Sequence, residues 1–255
     1  MSSLKNNSFK LAATAGVMAL TGMLAPAANA ALVTGNATIT IDNTAFAASS
    51  VNVPMGYPNG WIVAKHWGPS DNLVGITGAT AGGTTLSTTG STAMDFSVNT
   101  NTTTNSYPAI GPYGRTEQAT TMDVSNTSAG QIGLSGAWLL TSAGGSGALT
   151  PYDFRVQKTG GIWNIVTFDT GFQSQNFLKL TDVSESVNGN GELLLSGNLK
   201  WTGLWAGLTG ANTNAVVGTF NLAPAAVPVP AAVWMFGTGL LGLLGAARKK
   251  SAIAA

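Results

Sequence analysis

Acid–base catalysis near neutral pH calls for an imidazole or a perturbed carboxyl, and this chain carries one imidazole, His66, between Lys65 and Trp67. As the base of a hydrolase triad, His66 needs a serine on a strained Gly-x-Ser-x-Gly elbow or its equivalent. No such elbow occurs in the sequence. The chain has no cysteine, which removes thiolate nucleophiles, disulfides and thiolate zinc sites together. One histidine without cysteine leaves zinc with carboxylates alone, so no metal site is expected. Glycoside hydrolysis needs two carboxyls at a set separation. Asp182 with Glu185, and Glu117 with Asp123, are the pairs close in sequence, and ten carboxylates spread along the chain produce such pairs by chance. The stretch from Asn188 to Glu192 fits no calcium-loop spacing, and its Asn-Gly steps read more simply as a turn. Catalytic residues and cofactors are therefore expected to be absent, with a carboxylate-pair glycan hydrolase as the least favoured alternative.

Aromatic rings are the remaining candidates, because they stack on sugars. Trp138 and Trp201 fall on the apolar faces of alternating segments and read as core. Trp61, Trp67, Tyr107, Tyr113 and Trp205 sit nearer loop sequences and form the candidate glycan contacts. On that pattern a lectin-like carbohydrate-binding module is the principal alternative function.

The elements that must position these groups read as β-strands. Ala37, Ile39 and Ile41 alternate with Thr38, Thr40 and Asp42; Met94, Phe96 and Val98 alternate with Asp95, Ser97 and Asn99. The same period of two runs through 131–141, 152–157, 193–201 and 216–222, as half-buried antiparallel strands require. Gly160-Gly161 separates 151–158 from 162–170 as a hairpin, and Asn188-Gly189-Asn190-Gly191 does the same before the Leu-rich strand. The Thr/Asn stretch from Asn99 to Ser106 reads as an exposed loop. No long stretch has a helical period and no repeat has a fixed length. The expected body is one all-β domain over 31–222, an antiparallel β-sandwich of the jelly-roll kind built from nine to eleven short strands without intervening helices.

Both ends differ from this body. Only 8% of residues are charged, against roughly 25% in an ordinary globular protein, and the mean hydropathy is +0.22. Much of that hydropathy is terminal. Lys5 and Lys10 precede an uncharged, mostly apolar stretch from Leu11 to Leu24, and Ala28-x-Ala30 before Ala31 supplies small residues for cleavage. This is the plan of a secretory signal peptide over 1–30. Its apolar part rises about 21 Å as a helix, short of the ~30 Å hydrocarbon core.

The run 231–247, AAVWMFGTGLLGLLGAA, has no charge and is followed at once by Arg248, Lys249 and Lys250. It rises about 25 Å as a helix, enough to span with local thinning, and the cations fit a cytoplasmic tail over 248–255. Gly237-x-Gly239-x-x-Gly242 matches a dinucleotide fingerprint by letter only, since no strand-turn-helix unit surrounds it. Ahead of the run, Val227-Pro228-Val229-Pro230 closes a linker over 223–230 that is extended and accessible to a protease.

The order Pro-x-Pro, apolar Gly-rich helix, basic cluster, in VPVPAAVWMFGTGLLGLLGAARKK, resembles a PEP-CTERM sorting signal. The resemblance implies processing by exosortase, a membrane-embedded protease-transferase of Gram-negative bacteria that make exopolysaccharide. Pro228, Val229 and Pro230 map onto the recognition segment, with Val229 where the namesake pattern has Glu, and Arg248, Lys249 and Lys250 map onto the basic stop. The expected partners are the Sec machinery, signal peptidase, an exosortase-type protease, the membrane before processing, and exopolysaccharide.

With both ends removed, residues 31–226 hold six cations and all ten carboxylates, a net charge of −4. No basic footprint for nucleic acid remains. The expected function is that of an exported, non-enzymatic surface or biofilm-matrix protein.

Overall fold

The computed structural model describes residues 31–50, 60–69, 71, 82–102, 117–145, 147–169 and 173–224. The chain forms two units, Met1–Pro224 and Ala225–Ala255, and the second lies outside the described residues. In chain order the elements are β1 (Asn36–Asp42), α1 (Asn43–Ser49), β2 (Trp61–Trp67), β3 (Thr84–Thr85), β4 (Ser91–Val98), β5 (Ile132–Ser142), β6 (Ala148–Leu149), β7 (Tyr152–Thr159), β8 (Ile162–Asp169), β9 (Gln173–Val187), β10 (Leu193–Trp201), α2 (Gly203–Thr209) and β11 (Val216–Ala223).

The all-β class holds, but the sandwich does not. Neighbouring strands run β5-β4-β1-β11-β10-β9-β8-β7, and β7 pairs with β5 again, so eight antiparallel strands close into a barrel. A sandwich keeps two separate sheets with free edges, whereas the β5–β7 ladder, Ile132↔Val156 to Ala137↔Tyr152, joins the ends of one sheet. Alternating apolar residues serve a sandwich core and a barrel interior equally, which is why periodicity pointed to the wrong closure.

β5 makes the closure possible. Its first half lies in the wall between β4 and β7, and its second half pairs with β2 and β6 instead. The change of partners occurs at Gly136, whose φ is +148°. A Cβ there would stand 2.7 Å from the Phe96 ring, so the turn of the strand and the close approach both require glycine.

Inside the barrel the rings of Phe96, Trp138, Phe154, Phe177 and Trp201 pack at centroid separations of 4.9–6.4 Å, mostly edge to face. One mouth is plugged by the two helices, which the sequence reading did not foresee. The Asp42 carboxylate caps α1 by accepting from the Thr44 and Ala45 amides at 2.9 and 3.2 Å. That places Phe46 4.2 Å from Trp201, while α2 lays Trp205 4.8 Å from Phe177. The opposite mouth carries the Gly160-Gly161 and Asn188–Glu192 turns together with the start of β1 and the end of β11. A smaller core of Trp67, Ala137, Leu139, Tyr152 and Phe168 lies apart from the main one, where β5 leaves the barrel wall.

Candidate functional site

Three of the five aromatics expected to face solvent are buried. Trp61 and Trp205 belong to the main core and Trp67 to the smaller one, at 1%, 0% and 0% exposure. The reason is local. Trp61 and Trp67 open and close β2 rather than flanking it, and Trp205 sits on the inner face of α2. Tyr107 and Tyr113 lie outside the described residues. So do Ala28, Ala30, Pro228, Val229, Pro230, Arg248, Lys249 and Lys250. Ala31 is exposed, and its carbonyl accepts the Val124 amide at 3.0 Å.

His66 is buried against Phe96, with ring centroids 4.9 Å apart. Burial lowers its pKa from 6.5 to about 4, against the opposing pull of the Asp71 and Asp95 carboxylates. Its Nε2 is enclosed without a hydrogen-bond partner among the described residues. A neutral imidazole could act as a base, yet no hydroxyl is bonded to it there, and a core role fits its surroundings better.

The carboxylates close in sequence each have partners of their own. Glu117 is fully buried, accepting Ser135 Oγ at 2.8 Å and the Gly136 amide at 3.0 Å, whereas Asp123 binds the amide and hydroxyl of Ser125 in an exposed turn. Asp182 accepts the Asn198 side-chain amide at 2.9 Å on the surface.

Glu117 instead shares a region with residues distant in sequence. Asn99, expected in an exposed loop, is buried, and its side-chain oxygen lies within hydrogen-bond reach of Ser135 Oγ. Asp153, also fully buried, accepts the Gln118 amide at 2.9 Å and stands 3.8 Å from Arg155, whose guanidinium donates to Ser174 Oγ. Asp153 has a φ of +53°, held by the irregular pairing of β7 with β5 and β8. These bonds fasten the 117–124 segment to the outside of β5 and β7. No short motif links positions 99, 117, 135, 153 and 155, so the sequence carried no local signal for the cluster. Among the described residues no three metal-ligating side chains converge.

The most exposed constellation lies at the mouth opposite the helices. Glu185 of β9 accepts Thr127 Oγ1 at 2.6 Å, Lys158 Nζ at 2.8 Å and Trp163 Nε1 at 2.9 Å. Burial alone would raise its pKa; the bonds from Lys158, Thr127 and Trp163 and the Lys158 charge outweigh this and hold the carboxyl below its ordinary value. Lys158 Nζ also stands 5.3 Å from the Trp163 ring centroid. The group joins β7, β8, β9 and the loop before β5, a latch in geometry rather than a reaction centre.

No protein-family model, curated protein or solved structure matches the chain. No helix among the described residues is long and apolar enough to cross a membrane, and 231–247 lies outside them.

Proposed function

We propose that the chain is an exported, non-enzymatic surface or matrix protein, whose β-barrel is the cargo and whose C-terminal segment is the sorting device. The observation that carries this reading is the ordered arrangement VPVPAAVWMFGTGLLGLLGAARKK, a protease-accessible Pro-x-Pro ahead of a membrane-length apolar run and three cations. The barrel is consistent with such a cargo: its aromatics among the described residues are buried in packing, and its buried carboxylates Glu117 and Asp153 are committed to backbone amides and neighbouring side chains. Burial of Trp61, Trp67 and Trp205 removes most of the contacts on which a lectin reading relied.

Intact mass of the protein recovered from cell surface and medium tests the reading. The expected result is loss of the first 30 residues and a second cut near Pro228–Pro230. Deleting 227–255 should abolish the second cut and change the location of the protein. An uncut C-terminus in the wild type, or unchanged size and location after the deletion, overturns it.

A further inference from the structure

β9 outruns its neighbour. Its ladder with β8 ends at Asn164↔Lys179, while its ladder with β10 continues to Val187↔Leu193. Between them stands a bulge, where Asp182 has a φ of +52° opposite the Ser196–Asn198 step. Beyond the bulge, residues 182–187 are exposed without interruption, Val183 at 39% and Val187 at 52%. Glu185 has an exposed residue envelope although its carboxylate side chain is only 27% exposed, so its backbone is open while its charge is held by Lys158.

The phase of the ladder fixes which backbone groups are free. The Asn188 amide donates to the Glu192 carbonyl at 2.9 Å. Hydrogen-bonded and non-bonded pairs alternate in an antiparallel ladder, so the bonded pairs are Ser186↔Leu194 and Ser184↔Ser196. The N–H and C=O groups of Glu185 and Val187 and the C=O of Val183 therefore point away from β10, along an edge with no strand beside it among the described residues.

That edge reads Val183-Ser184-Glu185-Ser186-Val187, the same in both directions. We propose that it pairs antiparallel with the same edge of a second copy, about a two-fold axis through Glu185. The axis places each outward-pointing residue opposite another: Val183 against the second copy's Val187, Glu185 against Glu185, Val187 against Val183. The groups fixed by the ladder close four backbone hydrogen bonds, and Ser184 falls opposite Ser186 in the closer, non-bonded positions. Asp182 meets Asn188, so no uncompensated carboxylates face each other. The one like-charged pair is Glu185 with itself, and each member is already tied to its own Lys158 at 2.8 Å. An unrelated extended peptide could satisfy the backbone; a second copy does so with valine on valine and serine on serine about one two-fold axis, an isologous contact. The two barrels extend away from the axis in opposite directions. Five residues a side bury less than the ~1,200 Å² of a standard stable interface, so the pairing depends on concentration. It stands independently of the sorting proposal.

The absence of native cysteine makes the test direct. The double variant Ser184→Cys/Ser186→Cys, in the full chain purified in mild detergent, places cysteines opposite each other at about 4.5 Å between Cα atoms, within disulfide range. Mild oxidation should yield a reducible dimer as the main product. The same pair of changes at Thr219 and Asn221, on the outward face of β11, should leave monomer. Adding Val187→Pro removes an edge donor without touching the β10 ladder, and should cut the dimer at least tenfold. Val183→Lys/Val187→Lys, which keeps every backbone donor, should do the same by opposing two pairs of ammonium groups. Cross-linking no greater than at Thr219/Asn221, a dimer that survives both edge variants, or capture of a different protein in its place overturns the proposal.

Discussion

At the scale of single residues, burial sets whether a titratable side chain can take up its charge. His66 shows the consequence. Its pKa is about 4 in the folded protein and near 6.5 in the unfolded chain, because burial beside Phe96 opposes the charge. Above pH 6.5 both states are neutral and His66 has no effect on the pH dependence. Between 6.5 and about 4 the unfolded chain takes up the proton and the folded protein does not, so stability falls as the pH falls, and the loss is complete below about 4. Across that window the loss is about 3 kcal/mol. His66→Phe should remove this share: in urea titrations at pH 7 and pH 4.5, the wild type should lose about 2–3 kcal/mol more than the variant. Equal losses would mean that His66 is already charged in the fold. Trp61, Trp67 and Trp205 teach the same lesson from the other side. A tryptophan beside a turn signal looks exposed in sequence, but its exposure is decided by the strand or helix across from it.

At the scale of elements, alternation located β1, β4, β5, β7, β10 and β11, and the Gly160-Gly161 hairpin located β8, while β2 and the long β9 were not marked by a period of two. The turns at Gly160-Gly161 and Asn188–Glu192 were equally legible, since their chemistry is local. Missing were α1 and α2, each seven residues long, too short to establish a helical period before they end. Also missing was the strap formed by Glu117 and its neighbours, whose partners are Asn99, Ser135 and Asp153 on three separate segments. Asn43 is what ties α1 to the sheet. Its side-chain amide donates to the Val63 and Ser87 carbonyls at 2.9 and 2.6 Å and accepts the Val63 amide at 2.8 Å, at 1% exposure. Asn43→Ala should leave these backbone groups unsatisfied in an enclosed site and cost about 3 kcal/mol. Asn43→Asp should cost more, because it keeps an acceptor, loses both donors and buries a charge. Thermal melts give the ranking, and hydrogen exchange should show β2 protection falling before that of β10. An Asp variant as stable as the wild type would show that the site is open to water.

At the scale of the whole molecule, the barrel wall includes a seam between strands from the two ends of the body, Asn36–Asp42 and Val216–Ala223, whose ladder runs from Asn36↔Ala223 to Ile41↔Gly218. Such a seam is the most non-local contact in the fold, so it forms late and its loss reopens the sheet. Nothing in the alternation of either strand announces the other as its partner, which is why the closure was beyond reach of sequence periodicity. Gly218 tests it. It lies where β1, β10 and β11 run side by side, and a Cβ there would stand 2.0 Å from the Thr40 carbonyl oxygen and 3.1 Å from the Ile41 Cα. Both obstacles are backbone on a paired strand, so neither can swing aside. Gly218→Ala should therefore force the seam apart and cost about 3 kcal/mol. Gly160→Ala is the matched control: its φ of +59° carries a conformational penalty of about 1 kcal/mol, but a Cβ there meets nothing within 4 Å. Chemical denaturation of the two variants should rank Gly218→Ala as clearly the weaker. It should also show faster unfolding for that variant with refolding little changed, because Gly218 lies on a contact that forms late. The reverse ranking would mean that the seam yields at little cost, and that the barrel is held by its packed aromatics and helix plug rather than by its closure.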